Sequence, residues 1–375
     1  MEKNKKIIKK KSVDFILLIA VLSLVLIGQV MVFSASWPEA MVDFKDGYHF
    51  FRKQLLAALA GTASMLVLMN FNYKYFKKLA LPLYLLSLLS GFLLFTPLGI
   101  ELKGATRWID LGFTTFMPSD AIKFGSIIFF ASFLAKTKNK ITTLMHGTLP
   151  SLIIIGISCG MIFLQPDLGT AVTLAGALMG MFFIAGMRIS HMLVLAGGFA
   201  GFLYYAIAGD GDGYRMDRWT TFLDPFADKL GSGWQIVQSL YALGSGGLFG
   251  LGLGKSRQKF FYIPEAYNDF IFSIIGEELG LFGTLLVLFL FLLVIWRGII
   301  ISLKTEDLFG CYLSAGITAL ITVQSLINIA VVTSSIPTTG ITMPFISYGG
   351  TSLLFYMSGI GILLNISRYA KLDRS

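Results

Sequence analysis

Asp269 is the residue of this chain that is best placed to do chemistry. It lies near the end of the polar run 262–270, at the start of a long apolar stretch and after a glycine-rich, basic segment at 244–259. A carboxylate beside a cationic loop that could hold phosphate indicates chemistry on a charged lipid at a membrane surface. The alternative is structural, because Asp269 or Asn268 could simply cap the following helix.

Two glutamates follow about two helical turns further along the same apolar stretch. Glu277 lies eight residues beyond Asp269, roughly on the same helix face, and Glu278 is next to it. Ionisable groups inside a membrane are costly and usually face a polar cavity or a partner. Glu277 is therefore a candidate for substrate binding, and the alternative is a structural hydrogen bond from either glutamate to an Arg or Lys on a neighbouring helix.

Basic side chains on the same side could complete a site for pyrophosphate. The candidates are Arg107, Lys123, Lys255, Arg257 and Lys259. Opposite charge and bidentate guanidinium contacts suit a pyrophosphate group. Singly, Lys123 could snorkel to the membrane interface, and Arg107 could pair with Asp110. Residues 254–256 (Gly-Lys-Ser) resemble the end of a nucleotide-binding loop, but Phe249 stands where that loop needs glycine, which excludes a nucleotide site.

Asp167 has a simple local interpretation. It follows the proline in residues 165–169 (Gln-Pro-Asp-Leu-Gly), which ends one apolar stretch, and it is predicted to cap the next helix. The two cysteines fall within apolar stretches and the three histidines are scattered along the chain. Neither residue type forms a ligand cluster, so zinc is not expected.

The composition is that of a polytopic membrane protein. Of 375 residues, 55% are hydrophobic and only 14% are charged, and the mean hydropathy of +0.75 excludes a soluble domain. A membrane-spanning helix needs roughly 20 mainly apolar residues. About ten stretches are predicted to span: 14–35, 52–70, 78–96, 119–135, 148–164, 167–185, 190–208, 270–297, 306–332 and 342–367. The first is too long, and is continued by too many others, to be a cleaved signal peptide.

Basic residues are distributed as the positive-inside rule requires. With the N-terminus inside, the predicted inner segments hold 18 of the 30 Lys and Arg residues, beginning with the basic tail 1–13. Both termini are therefore predicted to be cytoplasmic, with a long extracytoplasmic loop at 209–268 between helices seven and eight. The net charge of +9 follows mostly from this topology and gives no reason to invoke nucleic acid. The predicted fold is all-α, with one integral membrane domain over 1–375.

Polar sequence is concentrated on the predicted outer face. Four glycine- and proline-bearing segments lie there, at 97–118, 165–169, 209–268 and 334–352. Irregular backbone near membrane depth is tolerated where it lines a protein cavity. Residues 234–243 have apolar side chains at helical spacing, which predicts a helix lying along the interface. This asymmetry predicts that the chemistry takes place outside.

Together these motifs resemble the SEDS family (shape, elongation, division and sporulation) of the FtsW, RodA and SpoVE type. The resemblance spans nearly the whole chain, in segments 104–112, 118–123, 165–170, 222–225, 235–240, 244–247, 264–265, 269–272, 276–280, 337–340 and 344–352. The last of these, Pro-Phe-Ile-Ser-Tyr-Gly-Gly-Thr-Ser, belongs to the most specific piece. The family usually has His-Thr-Asp where this chain has Tyr267, Asn268 and Asp269, and Glu where it has Asp120.

The resemblance implies a peptidoglycan glycosyltransferase that polymerises lipid II at the outer face of the bacterial cytoplasmic membrane, in division, elongation or sporulation. It implies a class B penicillin-binding protein as the crosslinking partner, with other division or elongation membrane proteins. Asp269 is then expected to be catalytic. Substrate binding is expected of Arg107, Lys123, Lys255, Lys259, Glu265, Glu277, Asp167 and Ser347. No metal ligand is expected, although a divalent cation, Mg or Mn, could share the neutralisation of pyrophosphate.

The expected reaction is an inverting transfer. Asp269 would take the proton from the 4-hydroxyl of the acceptor sugar, whose oxygen would attack the anomeric carbon of the donor, while apolar helix faces hold the lipid tail. One alternative is a transporter that flips lipid II, which should carry polar residues on both membrane faces. Another is a non-catalytic scaffold for the penicillin-binding protein, which would tolerate the loss of Asp269.

Overall fold

The computed structural model describes residues 12–102, 105–110, 112, 115–209 and 214–372, and most of them are helical. The α-helices of this described part are α1 (Phe15–Asp43), α2 (His49–Asn70), α3 (Lys74–Phe92), α4 (Pro118–Thr137), α5 (Leu149–Phe163), α6 (Leu168–Ile184), α7 (Ile189–Ala208), α8 (Tyr214–Leu223), α9 (Trp234–Ser245), α10 (Ile271–Leu303), α11 (Leu308–Val332) and α12 (Gly350–Ser367). Residues 1–11 of the predicted basic tail lie outside the described residues. Lys103 and Gly104, the first residue of the 104–112 motif, also lie outside them.

Each of the ten predicted apolar stretches overlaps one of these helices, namely α1 to α7 and α10 to α12. Within the described ranges, seven helices are long and apolar enough to cross a membrane: α1, α3, α4, α5 together with the helical turn before it (Leu144–Phe163), α10, α11 and α12. Helix α6 is apolar but has only 17 residues. The protein is therefore a multi-pass membrane protein, and spans at α2, α6 and α7 stay a prediction.

The first and last helices meet at one end of the bundle. The backbone N–H of Asp14, which caps α1, donates a hydrogen bond to the Ser367 hydroxyl at 3.2 Å. The Asp14 carboxylate also accepts from Nε of Arg297, near the end of α10, at 2.8 Å. Close by, the N–H of Lys371 donates to the Lys304 carbonyl at 2.9 Å. Both described ends of the chain thus lie at the same end of the bundle, as the predicted topology requires.

Glycines let α2 and α12 pack with their backbones close together. A Cβ added to Gly61 would lie 2.7 Å from the sulfur of Met357, and one added to Gly361 would lie 2.6 Å from the Met65 carbonyl oxygen. Membrane helices lack a hydrophobic driving force between them and depend on such close packing of small residues. This pair holds the outer end of α2 against the segment that precedes α12.

Helix α10 is broken at Gly280, where the sequence predicts one continuous helix. Gly280 has φ 66° and ψ −162°, a conformation open to glycine alone. Residues 246–252 cross the break and pair with its backbone: Leu251 donates to the Glu277 carbonyl at 2.9 Å and Gly252 to that of Glu278 at 3.0 Å. The glycine-rich segment therefore supplies the hydrogen bonds that a break inside a membrane protein must find.

The all-α prediction is wrong for the outer loop between α3 and α4. Strands β1 (Gly99–Leu102), β2 (Ala105–Asp110) and β3 (Thr115–Phe116) form a small antiparallel sheet in the order β1-β2-β3. Pairing satisfies the backbone groups of a segment too short and too polar for a helix, and the β-branched and aromatic residues of β2 favour it.

The segments around the last outer loop and the long loop also refine the prediction. Helix α12 begins at Gly350 rather than near 342, because residues 333–349 are irregular and Pro344 interrupts them. The predicted helix over 234–243 is confirmed by α9, and α8 is a second short helix in the same loop.

Candidate active site

Asp269 lies in the turn before α10 and is half-buried. The residue that caps α10 is Phe270, so neither Asp269 nor Asn268 is the helix cap. The backbone carbonyl of Asp269 accepts a hydrogen bond from Nδ2 of Asn328 on α11 at 2.7 Å. A Cβ added to Gly340 would lie 3.9 Å from Oδ2 of Asp269, so the carboxylate faces the last outer loop. The cap position of α10 therefore falls one residue after Asp269, and a catalytic role of Asp269 stays a prediction.

The last outer loop is the meeting point of the predicted polar segments. Asn328 donates from the same amide to the Ile341 carbonyl at 2.7 Å, which ties this loop to Asp269. Arg218 of α8 donates to the Thr338 carbonyl at 3.0 Å. A Cβ on Gly169 would lie 3.0 Å from the Thr339 carbonyl oxygen, so the first turn of α6 also packs there.

Arg107 connects the outer sheet to the turn before α6. It lies on β2 and donates a hydrogen bond from Nη2 to the Pro166 carbonyl, whereas its Nε is buried with no partner among the described residues. The predicted pairing of Arg107 with Asp110 is not among the described ion pairs, and Asp110 instead accepts from the N–H of Gly112 at 2.7 Å. The four predicted outer segments therefore converge by direct contact around Asp269.

Lys123 points into the bundle and does not snorkel. Its side chain is 4% exposed, and Nζ pairs with Asp120 at 2.9 Å. Nζ also donates to Oε1 of Gln324 on α11 at 3.2 Å and to the hydroxyl of Tyr356 on α12 at 3.4 Å. These bonds tie three helices together, and Oδ2 of Asp120 is buried without a partner in the described part of the chain. A contact of Lys123 with substrate stays a prediction.

The glycine-rich loop directs its N–H donors at Glu278, one of the protein's own carboxylates. Glu278 accepts from the N–H groups of Gly254 at 3.0 Å and Ser256 at 3.2 Å. Its Oε1 also pairs with Nζ of Lys259 at 2.8 Å and accepts from the Ser34 hydroxyl of α1 at 2.7 Å. The charge of Lys259 is balanced by this buried pair, so its predicted role on pyrophosphate stays untested.

Glu277 takes the neighbouring donors of the same loop. It accepts from the N–H of Arg257 at 2.9 Å and of Gln258 at 3.3 Å, and from the Ser256 hydroxyl at 2.5 Å. The loop thus forms a nest of N–H groups of the kind that binds anions, and carboxylates already fill it. Both glutamates thus have structural contacts, but the described ones come mainly from the loop and not from an Arg or Lys of a neighbouring helix, and substrate binding by Glu277 stays a prediction. Lys255 is exposed beside this nest.

The other candidates for substrate binding have local contacts. Asp167 caps α6, as predicted, by accepting from the N–H of Thr170 at 3.1 Å. Glu265 has φ 48° and accepts from the amide side chain of Asn268 at 3.1 Å, within the Asp269 turn. Ser347 is buried and accepts from the N–H of Met343 at 2.8 Å. Their roles towards substrate stay predictions.

Buried polar atoms without partners lie on two of the predicted outer segments and at the start of α4. Both amide atoms of Gln165 and the hydroxyls of Ser119 and Thr339 are buried and unpaired among the described residues. Buried polar groups normally find a partner, so these atoms are exceptions among the described residues. Within the described ranges no group of three His, Cys, Asp or Glu residues could hold a metal, so a divalent cation stays a proposal.

An apolar groove lies beside this polar region. It has a volume of about 340 Å³ and lies between α3, α4 and α12. Its walls include Leu83 of α3, Ile128 of α4 and Phe355 of α12, and Phe116 of β3 lies at its outer end. Such a surface suits an alkyl chain.

Comparison with known proteins decides the family. The family profile described as "Cell cycle protein", which covers FtsW, RodA and SpoVE, matches residues 15–372. The chain belongs to the FtsW/RodA/SpoVE family. Stage V sporulation protein E of Bacillus subtilis is 44% identical over 365 residues, 97% of this chain and 99% of that protein. A probable peptidoglycan glycosyltransferase FtsW of Trichlorobacter lovleyi is 41% identical, over 96% of this chain and 94% of its own length.

Solved structures agree with this family membership. One is a chain from a peptidoglycan synthase complex that was described for its structural coordination of polymerization and crosslinking. It matches with a TM-score of 0.78 and 27% sequence identity, and the match covers 96% of this chain and 99% of that chain. The rod shape determining protein RodA of Thermus thermophilus has a TM-score of 0.70 and 26% identity, covering 96% of this chain and 98% of its own.

Two residues that hold this FtsW/RodA/SpoVE site were not singled out in the sequence, Gln54 and Asn328. Gln54 of α2 is fully buried and clamps the last outer loop, donating to the Ser347 carbonyl at 3.1 Å and accepting from the Gly349 N–H at 3.1 Å. Asn328 likewise bridges Asp269 and Ile341. Both residues could have been found in the sequence, because each is an uncharged amide inside a predicted apolar stretch. Such amides usually form hydrogen bonds between helices.

Proposed function

We propose that this chain is a peptidoglycan glycosyltransferase that polymerises lipid II into glycan strands. The observation that carries the proposal is the half-buried Asp269, whose carboxylate faces the last outer loop where the predicted outer segments meet. A site of that kind suits a general base acting on a polar, sugar-bearing substrate. Family membership with proteins named as peptidoglycan glycosyltransferases supports the same reaction.

Asp269 acts as the base in this proposal. It takes the proton of the acceptor 4-hydroxyl, the oxygen forms a bond to the anomeric carbon, and the bond to undecaprenyl pyrophosphate breaks with inversion. The carboxylate of Asp269 is half-buried and faces the last outer loop. Its backbone anchor on Asn328 limits the positions from which it acts.

The leaving pyrophosphate needs positive charge. Arg107 and Lys255 are the best placed candidates, since Arg107 keeps a buried, unpaired Nε and Lys255 is exposed. Preorganised charge of this kind commonly supplies much of an enzyme's rate enhancement. Lys123 and Lys259 have carboxylate partners and would act through their networks, and Mg or Mn could share the neutralisation. The apolar groove between α3, α4 and α12 is our candidate for the lipid tail.

A class B penicillin-binding protein is the proposed partner, in the bacterial cytoplasmic membrane with the active site outside. The likeness to a chain of a peptidoglycan synthase complex supports a partner that crosslinks the strands. The placement outside rests on the distribution of basic residues. Other division or elongation membrane proteins are further expected partners.

The test is strand synthesis by purified protein from lipid II, with and without the co-expressed partner. We expect Asp269→Asn to lower the rate by at least about 100-fold, since it keeps the side-chain shape and removes the base. Asp43→Asn, an exposed aspartate at the end of α1, is the matched control and should keep the wild-type rate. Normal synthesis by a folded Asp269→Asn protein would refute the assignment and favour the scaffold or transporter alternative.

A further inference from the structure

The turn that carries Asp269 is fastened to α1 by the side chain of Tyr267. The Tyr267 hydroxyl donates a hydrogen bond to Oε1 of Glu39 at 2.9 Å. Tyr267 is 3% exposed and lies two residues before Asp269. Burial shields the bond from competing water, and the carboxylate acceptor strengthens it. Burial, followed by the nearby Glu39, raises the pKa of Tyr267, so the hydroxyl keeps its proton for this bond.

The tyrosine ring is held on its faces and edge as well. The Phe50 ring of α2 lies 4.6 Å from it, and the Tyr348 ring lies 5.7 Å away at an interplanar angle of 79°. The backbone N–H of Tyr348 also donates to the Tyr267 carbonyl at 2.9 Å. A tyrosine has only two side-chain torsions, so these contacts make it a rigid strut between the Asp269 turn and α1.

The other side of the turn is fixed independently. Asn328 holds the Asp269 carbonyl at 2.7 Å, and Phe270 is fully buried. With residues 267 and 269 both anchored, the direction of the intervening backbone depends on both anchors. The loss of either anchor would let the Asp269 side chain move relative to the last outer loop.

We propose that Tyr267 and Glu39 form a positioning pair that sets the orientation of the Asp269 carboxylate. The pair takes no part in bond making and acts through the turn alone. The proposal rests on the proposed function, in which Asp269 is the base. A misplacement of about 1 Å can cost about 100-fold in rate, so loss of one buried hydrogen bond here is expected to slow the reaction.

The first experiment is Tyr267→Phe, which removes the hydroxyl and keeps the ring packing. With lipid II as substrate, we expect kcat to fall about tenfold while KM stays within about twofold, because positioning of the base affects the transition state more than substrate binding. The control is Tyr262→Phe, an exposed tyrosine of the same loop, which should behave as wild type. A folded Tyr267→Phe protein with wild-type kcat overturns the proposal.

A second variant tests the pair as a unit. Glu39→Gln keeps an acceptor oxygen but removes its charge, so we expect a smaller loss of kcat than in Tyr267→Phe. The double variant should be no slower than Tyr267→Phe alone, because both changes remove the same interaction. Losses that multiply in the double variant would show independent effects and overturn the pair.

Hydrogen–deuterium exchange separates this proposal from the proposed function, because it needs no activity. In Tyr267→Phe we expect faster exchange at residues 265–272 and unchanged exchange in α12. Equal exchange in variant and wild type overturns the positioning pair. Wild-type protein that makes no glycan strands overturns the proposed function instead, and faster exchange in the variant would then still support the anchor.

Discussion

At the scale of single residues, Lys259 and Glu278 form a buried ion pair between the glycine-rich loop and α10. Glu278 is fully buried and collects two backbone N–H donors, a serine hydroxyl and a lysine. Such a pair is costly to assemble, because both charges leave water, but it is more costly to break. Its value here is that it joins α1, α10 and the glycine-rich loop at one point.

We therefore expect Glu278→Gln to destabilise the protein by about 3–5 kcal/mol, because Lys259 would be left as an unpaired buried charge. The measurement is thermal unfolding in detergent, followed by intrinsic fluorescence. The control is Glu306→Gln, which removes the partner of Lys371 in an exposed pair with 74% and 69% exposed side chains and should leave the midpoint unchanged. Equal midpoints for wild type and Glu278→Gln would contradict the role of the pair.

Residues differ in how far their roles can be predicted from sequence. Asp167 is predicted correctly as a cap because capping depends on neighbours within one turn. Glu278 could be recognised as buried and costly, but its contact with Ser34 joins residues 244 positions apart and needs the fold. Asp269 stands between these cases, since its neighbours suggest a cap, whereas the cap position of α10 falls on the next residue, Phe270.

At the scale of elements, the broken helix α10 and the loop that crosses its break behave as one unit. The backbone of Gly280 can take its φ of 66° and ψ of −162° only without a side chain. The break could not be predicted from hydropathy, because the stretch 270–297 as a whole is apolar enough to predict one continuous helix. The glycine-rich sequence 244–254 predicts either close backbone approach to a phosphate or a tight re-entrant turn, and the structure shows close approach to α10.

Gly280→Ala should therefore prevent correct folding or destabilise the protein by at least about 2 kcal/mol. A Cβ there would meet the backbone of Leu248 at 2.7 Å, and the φ and ψ values add strain. The yield of monodisperse protein and its thermal midpoint are the measurements. Gly244→Ala, at a position in α9 where a Cβ has open space, is the control and should be neutral. A normal yield and midpoint for Gly280→Ala would argue against a fixed break.

At the scale of the whole molecule, the side of the membrane on which each end lies is the main prediction still to be tested. Hydropathy predicts ten spans because each apolar stretch is identified locally, and each predicted stretch overlaps a helix of the structure. The sheet of β1 to β3 was missed because its strands are short and pair only with one another.

Cysteine labelling tests this topology in intact cells. In a background with Cys159 and Cys311 replaced by serine, we expect a membrane-impermeant maleimide to label Lys229→Cys of the long loop directly. Glu306→Cys, between α10 and α11, should be labelled only after the membrane is permeabilised. Both positions are exposed, so accessibility within the protein is matched. Labelling of both residues from outside, or of Glu306→Cys alone, would invalidate the predicted orientation.

The contact between the two ends of the bundle has a consequence for how the protein is made. Asp14 and Ser367 are 353 positions apart, so the first helix to leave the ribosome cannot complete its contacts until the last helix has followed. At about 5–20 residues per second, this delay is on the order of tens of seconds. During that time α1 is held by lipid or by the insertion machinery, and a chain that terminates before α12 keeps its first helix without its final neighbour.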